Sequence, residues 1–530
     1  MKKLFFASLF MAALFARAQT ATVTLSQKFQ LKDRGLTNST GTTCRLGNFF
    51  YCMEYEYKSR QFALSASLEK IKYGINLYKY TPDMKEVSKN SLNNGKKEFG
   101  PFDPQTVVLN NKLLLFYYQV QPDGGIKLFV KTVDPQTLNE TEAKELYTIS
   151  EDNVGLFKME DAISHNNLAL VKSPDEKELV VVQSGNTNEV FTCIINSNNE
   201  VVKPMTTVIK DDYQDFKLQD VFLDNKENKC FSYTYTADKL NKRGVLVQNN
   251  KGKEAFLDFS TGNTDWESNT LAFHLAKDNK TLYLYANYYG NYLDEGVLLS
   301  SLDAEHLTYG KAQLFPYTDD IKQKMHKLGF GSKDDGNYTV KRVDYTCTEL
   351  EDGTLALTGY PSATSSSTYT SGFTSSPVGG SFPQSYQTVV TSTAGPVINI
   401  FLKGSQCKFG LLNRMQANSE ASGYIPVAYK NTLVCIYCDS KKNLEAGTDQ
   451  KIKSSSKAAD LVLIQAVISS DGAIISRKVI SDAPEGSNYF YLDYNKQLSD
   501  KSYLMPIGRQ RMNMARYYTE IDQWATVTVQ

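Results

Sequence analysis

The chain is 530 residues long, 41% hydrophobic and 12% aromatic, with 58 basic and 58 acidic residues. That is ample for a large core and too long for one ordinary compact domain. So balanced a charge gives no global electrostatic pull toward nucleic acid or anionic lipid.

The first element in chain order is a leader. MKKLFFASLFMAALFARAQT has a positive start at Lys2 and Lys3 and an apolar core from Leu4 to Phe15. It ends in an A-x-A cleavage site at Ala16-Arg17-Ala18. The pattern predicts a signal peptide over residues 1–18 and a mature chain from Gln19, exported to the periplasm, the cell surface or beyond. The apolar run is too short to span a bilayer, and no later segment offers a transmembrane span. Cleavage removes three basic residues, leaving 55 basic against 58 acidic.

Polar turns followed by runs of Leu, Val, Tyr, Phe or Cys then recur down the chain. They read LGNFFYCMEY (46–55), NNKLLLFYYQ (110–119), PDEKELVVVQ (174–183), NKENKCFSYTY (225–235), DNKTLYLYAN (278–287), EDGTLALTGY (351–360), KNTLVCIYCD (430–439) and SDKSYLMPIG (499–508). Between them lie seven more polar strand pairs, at 75–92, 126–147, 189–209, 244–259, 296–315, 397–415 and 461–480. An apolar inner hairpin followed by a more polar outer one is a four-stranded propeller blade, since inner strands are buried on both faces and the outer strand on one. The pattern predicts an all-β fold, a β-propeller of about eight four-stranded blades, or seven if one hairpin is a decoration. The outer pairs run one short. ATVTLSQKFQL (21–31) has outer-strand character, so the N-terminal strand is expected to close the ring by joining the last blade, removing an edge. Residues 19–530 then form a single propeller domain. The one helical period is TDDIKQKMHKLGF (318–330), with Ile321, Met325 and Leu328 on one side.

SPDEKELVVV (173–182) resembles the S-P-D-x-K-x-L repeat of TolB-type, PD40-like β-propellers. The stretch from LEDGTLALTGY (350–360) through ISSDGAIISRKVI (468–480) is similar to an uncharacterised group of secreted bacterial propeller proteins. Both resemblances imply the fold and carry no catalytic residue over.

Two segments interrupt the rhythm between the second and third strands of blades 6 and 7. They are the Ser/Thr/Gly/Pro-rich 361–396 and the polar 440–460. Each reads either as a polar loop or as a flap over one face.

Loops from strand four to the next blade and from strand two to strand three share one face of a propeller, and loops on a rigid ring carry function. The binding candidates on that face are Trp266 in STGNTDWESNT, Tyr288, Tyr289, Tyr292 and Asp294 in ANYYGNYLDEG, and Arg509, Arg511 and Arg516 in GRQRMNMAR. Tyr offers a flat apolar face with a polar tip, suited to sugars or peptides. Arg reads carboxylate or phosphate with a planar fork. The same residues also suit packing between blades and ion pairing. The acidic DDYQD (211–215) lacks a calcium-loop spacing.

The eight Cys include a C-x-x-C at Cys435 and Cys438 inside an apolar strand. Positions i and i+3 of a strand face opposite ways, roughly 10 Å apart, too far for a disulfide or one metal. Cys44 and Cys52 can pair only across a three-residue loop; a two-residue Gly47-Asn48 loop puts them on opposite faces. His274 in TLAFHLA reads as a core residue. There is no G-x-S-x-G, H-E-x-x-H or P-loop. No metal, cofactor or catalytic residue is expected.

The sequence therefore reads as a non-catalytic exported binding or scaffold protein, monomeric, taking a protein, peptide or glycan on one loop face. The alternatives are a carbohydrate-active hydrolase or lyase using carboxylates or Tyr on that face, and a structural component of a cell-envelope assembly.

Overall fold

The computed structural model describes residues 21–28, 36–59, 70–92, 104–120, 126–149, 168–184, 189–196, 198, 200–208, 214–237, 240–258, 267–268, 271–289, 295–334, 337–340, 343–370, 386–416, 423–444, 452, 457–485, 488–492, 495–513 and 516–530. Its sheets are antiparallel blades of a β-propeller, met in chain order. Blades 1 to 4 each have four strands, starting at Leu36–Leu46, Gln105–Leu109, Leu168–Lys172 and Gln214–Leu223. Blade 5 is built on Leu282–Tyr289 and Glu295–Asp303, and its first and last strands are each broken in two. Blade 6 comprises Val343–Glu349, Leu355–Thr370, Val397–Lys403 and Gln406–Leu412. Blade 7 comprises Tyr424–Tyr429, Thr432–Ser440, Leu461–Ser469 and Ile474–Ser481. In blade 8, Ala21–Leu25 pairs with Arg516–Val529, which pairs with Ser502–Asn513. The first strand thus completes the last blade. The backbone amide of Ser26 donates to the Trp524 carbonyl (2.9 Å), and that of Trp524 to the Ser26 hydroxyl (2.9 Å).

By contact density the chain divides into two compact units. Among the described residues, one holds those within Thr24–Pro316 and Lys496–Val527, the other those within Tyr317–Asn495, with 21–23 and Thr528–Gln530.

The unbroken apolar runs of the inner strands follow from burial on both faces. Along Lys112–Val120, Leu114, Phe116 and Tyr118 pack toward blade 3, while Leu113, Leu115 and Tyr117 pack toward blade 1. The turns repeat in role rather than in residue. At Ser173–Glu178 the chain closes with Ser173 N donating to Glu178 O (2.8 Å), Glu176 takes a φ of 57°, and the Asp175 carboxylate accepts from Lys177 N (3.2 Å). Asp224–Asn228, Leu350–Thr354 and Ser469–Ala473 close in the same way, with Glu227, Gly353 and Gly472 in the left-handed position. An Asp or Asn side chain holding the amides two and four residues on does the same work as the S-P-D version. One physical turn therefore underlies a degenerate sequence motif.

The helix expected near 318–330 is α1, Asp319–Lys327. Thr318 caps it by accepting from Ile321 N, and Ile321 and Met325 are buried. A short hairpin, Gly331–Asp334 with Asn337–Val340, follows.

The first hairpin pairs Leu46 with Phe49, so its loop is the two-residue Gly47-Asn48, with Gly47 at φ 58°. Cys44 then lies opposite Tyr51 and Cys52 opposite Thr43, on opposite faces, and both thiols are free. Cys435 and Cys438 are buried and free, as their strand spacing requires.

The insertion of blade 6 begins as a β-arm. Its second strand runs on to Thr370 and pairs with Tyr386–Ala394, from Ser362 opposite Ala394 to Thr370 opposite Tyr386. The insertion of blade 7 begins and ends in single turns, Lys441–Asn443 and Ala458–Asp460.

Candidate functional site

The loop candidates fare unevenly. Trp266, Tyr292 and Asp294 lie outside the described residues, as do the acidic positions 211–213 and the side chains of Tyr289, Arg511 and Arg516. Arg509 is half-buried on the strand Ser502–Asn513. Tyr288 departs from the binding expectation. It is 1% exposed and sits in the core between blades 4 and 5, packed with Val245, Val247 and Leu298. Strand pairing carries Tyr288 opposite Gly296, so the strand extends further into this loop than composition suggested and takes Tyr288 inside.

A different set of residues comes together between blades 6 and 7, at the end where the two insertions begin. The floor is apolar. Ala356, Val397, Phe401 and Leu412 of blade 6 meet Leu433, Cys435, Ile464 and Ala466 of blade 7. Side chains alternate along a strand, so Thr358, Tyr360 and Asn399 share the face of Ala356 and Val397. Asp439 likewise shares the face of Cys435 and Tyr437. The packed layer therefore turns polar partway along.

Arg414 follows the last strand of blade 6 and is wholly buried. Its Nε donates to Gly395 O (3.4 Å) and its Nη1 to Gly423 O (2.9 Å). The guanidinium lies 4.6 Å from the centroid of the Tyr360 ring. Tyr360 meets Tyr424 edge to face at 5.6 Å, and Tyr424 donates to the Thr358 carbonyl. Asp439 ends the second strand of blade 7, also fully buried. Its Oδ1 accepts from Asn443 Nδ2 (2.8 Å) and from Ser440 N (2.7 Å). Arg477 donates from Nε to Tyr437 Oη (3.1 Å) and from Nη2 to Asn443 O (3.1 Å).

Burial pushes the Asp439 carboxyl up to about 6, opposed by its bonds from Asn443 and Ser440 and by the charges of Arg414 and Arg477. Burial also pushes the Cys435 thiol up to about 12 and raises the Tyr424 and Tyr437 phenols, so all three are neutral at ordinary pH.

Several polar atoms of this layer find no protein partner among the described residues. They are Nη2 of Arg414, Oδ2 of Asp439, the Thr358 hydroxyl and both amide atoms of Asn399 and of Gln416. Asn399 and Gln416 are 0% exposed. Buried polar groups are ordinarily hydrogen-bonded, and one left unmade costs about 1–3 kcal/mol. So many in one layer mark it off from a packing interface.

The sequence held a signal for this layer that composition hid. Asn399 is the lone polar residue in the run VINIFL, and Asp439 closes the run LVCIYC. Among the described residues no three His, Cys, Asp or Glu gather in a way that could hold a metal ion. No helix among them is long and apolar enough to cross a membrane.

No family model matches the chain, and no curated protein matches it by sequence. Solved structures do share its outline. The polysaccharide lyase Uly1 is 10% identical, covering 96% of this chain and 99% of its own at a TM-score of 0.41. An ulvan lyase of polysaccharide lyase family PL25 is 9% identical, covering 79% of this chain and 90% of its own at a TM-score of 0.39. The β-propeller domain of the Trilobed protease from Pyrococcus furiosus is 10% identical, covering 85% and 100% at 0.35. No activity is carried from them to this chain.

Proposed function

We propose that this chain is an exported, non-catalytic binding protein whose ligand surface is the insertion-bearing end of blades 6 and 7. The observation that carries this reading is the buried polar layer of Arg414, Gln416 and Asp439, whose unpartnered atoms lie where both insertions leave the sheet. Leaving such groups unmet is costly, and a rigid sheet base suits a site that must hold its geometry. The leader sequence supports export, and a glycan or peptide fits the mixture of amide, guanidinium and Tyr groups.

The arm gives a direct test. Gly395 N donates to Pro361 O at 2.8 Å, so residues 362–394 can be removed by joining those two positions. A glycan and peptide array probed with the mature chain and with this deletion should show ligands that the deletion weakens. Identical array profiles for the two proteins would sink the reading.

A second reading, a carbohydrate-active enzyme, draws on Asp439, whose carboxyl near 6 could exchange a proton at neutral pH. It predicts that an array ligand is cleaved on long incubation, with cleavage abolished in Asp439→Asn.

A further inference from the structure

We infer that Arg414 is the recognition point for an oxyanion, a carboxylate or sulfate group carried by the ligand. The inference rests on the binding role proposed above and names the chemistry that role would use.

A guanidinium stays charged at any physiological pH, and a buried charge is ordinarily paired. Arg414 is 0% exposed, and its partners among the described residues are two neutral carbonyls and the face of Tyr360. Among the described residues Nη2 has no partner at all. The neighbours that could ionise do not supply a dedicated counter-charge. Cys435, Tyr424 and Tyr437 are held neutral by burial. Asp439 feels Arg414 but is drawn on by Arg477 as well, and its Oδ1 is taken by Asn443 and Ser440. Gln416, two residues along, adds an amide with both atoms unpartnered.

A neutral hydroxyl could satisfy Nη2 but would leave the charge where it is. An oxyanion answers both, because a guanidinium edge matches two oxygens of a carboxylate or sulfate. The groups are closed off from bulk solvent, so occupation requires the neighbouring side chains to shift.

The test uses the whole mature chain. Thermal denaturation is followed with millimolar D-galacturonate against D-galactose, and with sodium sulfate against sodium chloride at matched ionic strength, with calorimetric titration for saturation. Galacturonate, sulfate or both should raise Tm saturably, since a ligand that binds only the folded state stabilises it. Galactose and chloride should not. Arg414→Met should abolish the response and Arg414→Lys should keep part of it. No saturable response to either anion, or an equal response in Arg414→Met, overturns the inference.

Should Arg414→Met fail to fold, Asp439→Asn decides. Removing that competing carboxylate should tighten anion binding several-fold, and an unchanged or weaker affinity overturns the inference. The two readings fail separately. Arm-dependent binding of a neutral glycan or peptide with no anion response would leave the binding role standing and remove Arg414 from it. A saturable, Arg414-dependent anion response with no arm-dependent ligand would uphold the oxyanion site and sink the arm-bearing surface.

Discussion

Blades 2 and 3 face each other through Leu114, Phe116, Leu128 and Val130 on one side and Leu179, Val181, Cys193 and Ile195 on the other. Blades 6 and 7 begin in the same way, with Val397, Phe401 and Leu412 against Leu433, Cys435 and Ile464. They then place Asn399, Arg414 and Asp439 in equally complete burial. Both interfaces are made by the same hairpins with the same alternation. The first is explained by apolar burial at about 25 cal/mol per Å². The second gives up part of that stabilisation, which is the usual mark of a functional site in a fold otherwise consistent at every level.

The largest effect should come from the apolar interface. Phe116→Ala removes a fully buried ring and should cost about 3–5 kcal/mol in urea denaturation. A loss near zero would mean that the blade 2–3 interface is not the stabilising element described.

Asp439→Asn should act in the other direction, with a pH signature. The folded carboxyl titrates near 6, above the usual Asp value of about 3.9. The folded state therefore holds its proton more tightly than the unfolded state. The stability this confers is full below about 4 and is lost as pH rises through about 6. The Asn variant should match the wild type near pH 4 and exceed it by up to about 3 kcal/mol at pH 7.5. The groups acting on Asp439 are Asn443, Ser440, Arg414 and Arg477, beside the Tyr437 phenol; only the two guanidiniums carry a charge. Parallel pH profiles for the two proteins would show that Asp439 is not held near 6.

Asn399→Leu should be neutral or stabilising by about 1–3 kcal/mol, because it removes two unpartnered polar atoms from an apolar run. That is opposite in sign to a polar-to-apolar change at a satisfied site. A loss of several kcal/mol would show that the Asn399 amide is met by partners after all, and the contrast between the two interfaces would shrink.

The smallest effect is expected at Glu178, in the turn between the first two strands of blade 3. Burial, then the carboxylates of Glu227, Asp175 and Asp224, push it up to about 7. Its contribution is present at low pH and lost as pH rises from about 4.3 through 7. It is only half-buried, on a turn at the end of the blade, so solvent screens part of the effect. Glu178→Gln should give a small rise in Tm at pH 8 and none at pH 4. A rise as large as that of Asp439→Asn would mean that depth of burial is not what separates the two sites.

Much of the fold was legible. The turn-plus-apolar-run pattern located the blades, and the deficit of outer pairs predicted that the first strand, Ala21–Leu25, belongs to the last blade. Whether Cys44 and Cys52 face each other hung on a loop length that the sequence left open, and the pairing of Leu46 with Phe49 settled it. The site was far less legible. Tyr288 reads as a loop aromatic until strand pairing carries it inside, while Arg414 and Asn399 attract no notice in composition.

The reason is the range of the forces involved. Alternation, turn chemistry and capping act over two to six residues, so the chain alone determined its strands, its turns and α1, while the closing of blade 8 by its first strand followed only from the count of outer pairs along the whole chain. Which sheet faces meet, and so which polar atoms lose water without gaining a partner, depends on residues far apart in the chain. Tyr360, Arg414 and Asp439 became one layer only when tertiary packing set blade 6 against blade 7 and removed the solvent between them.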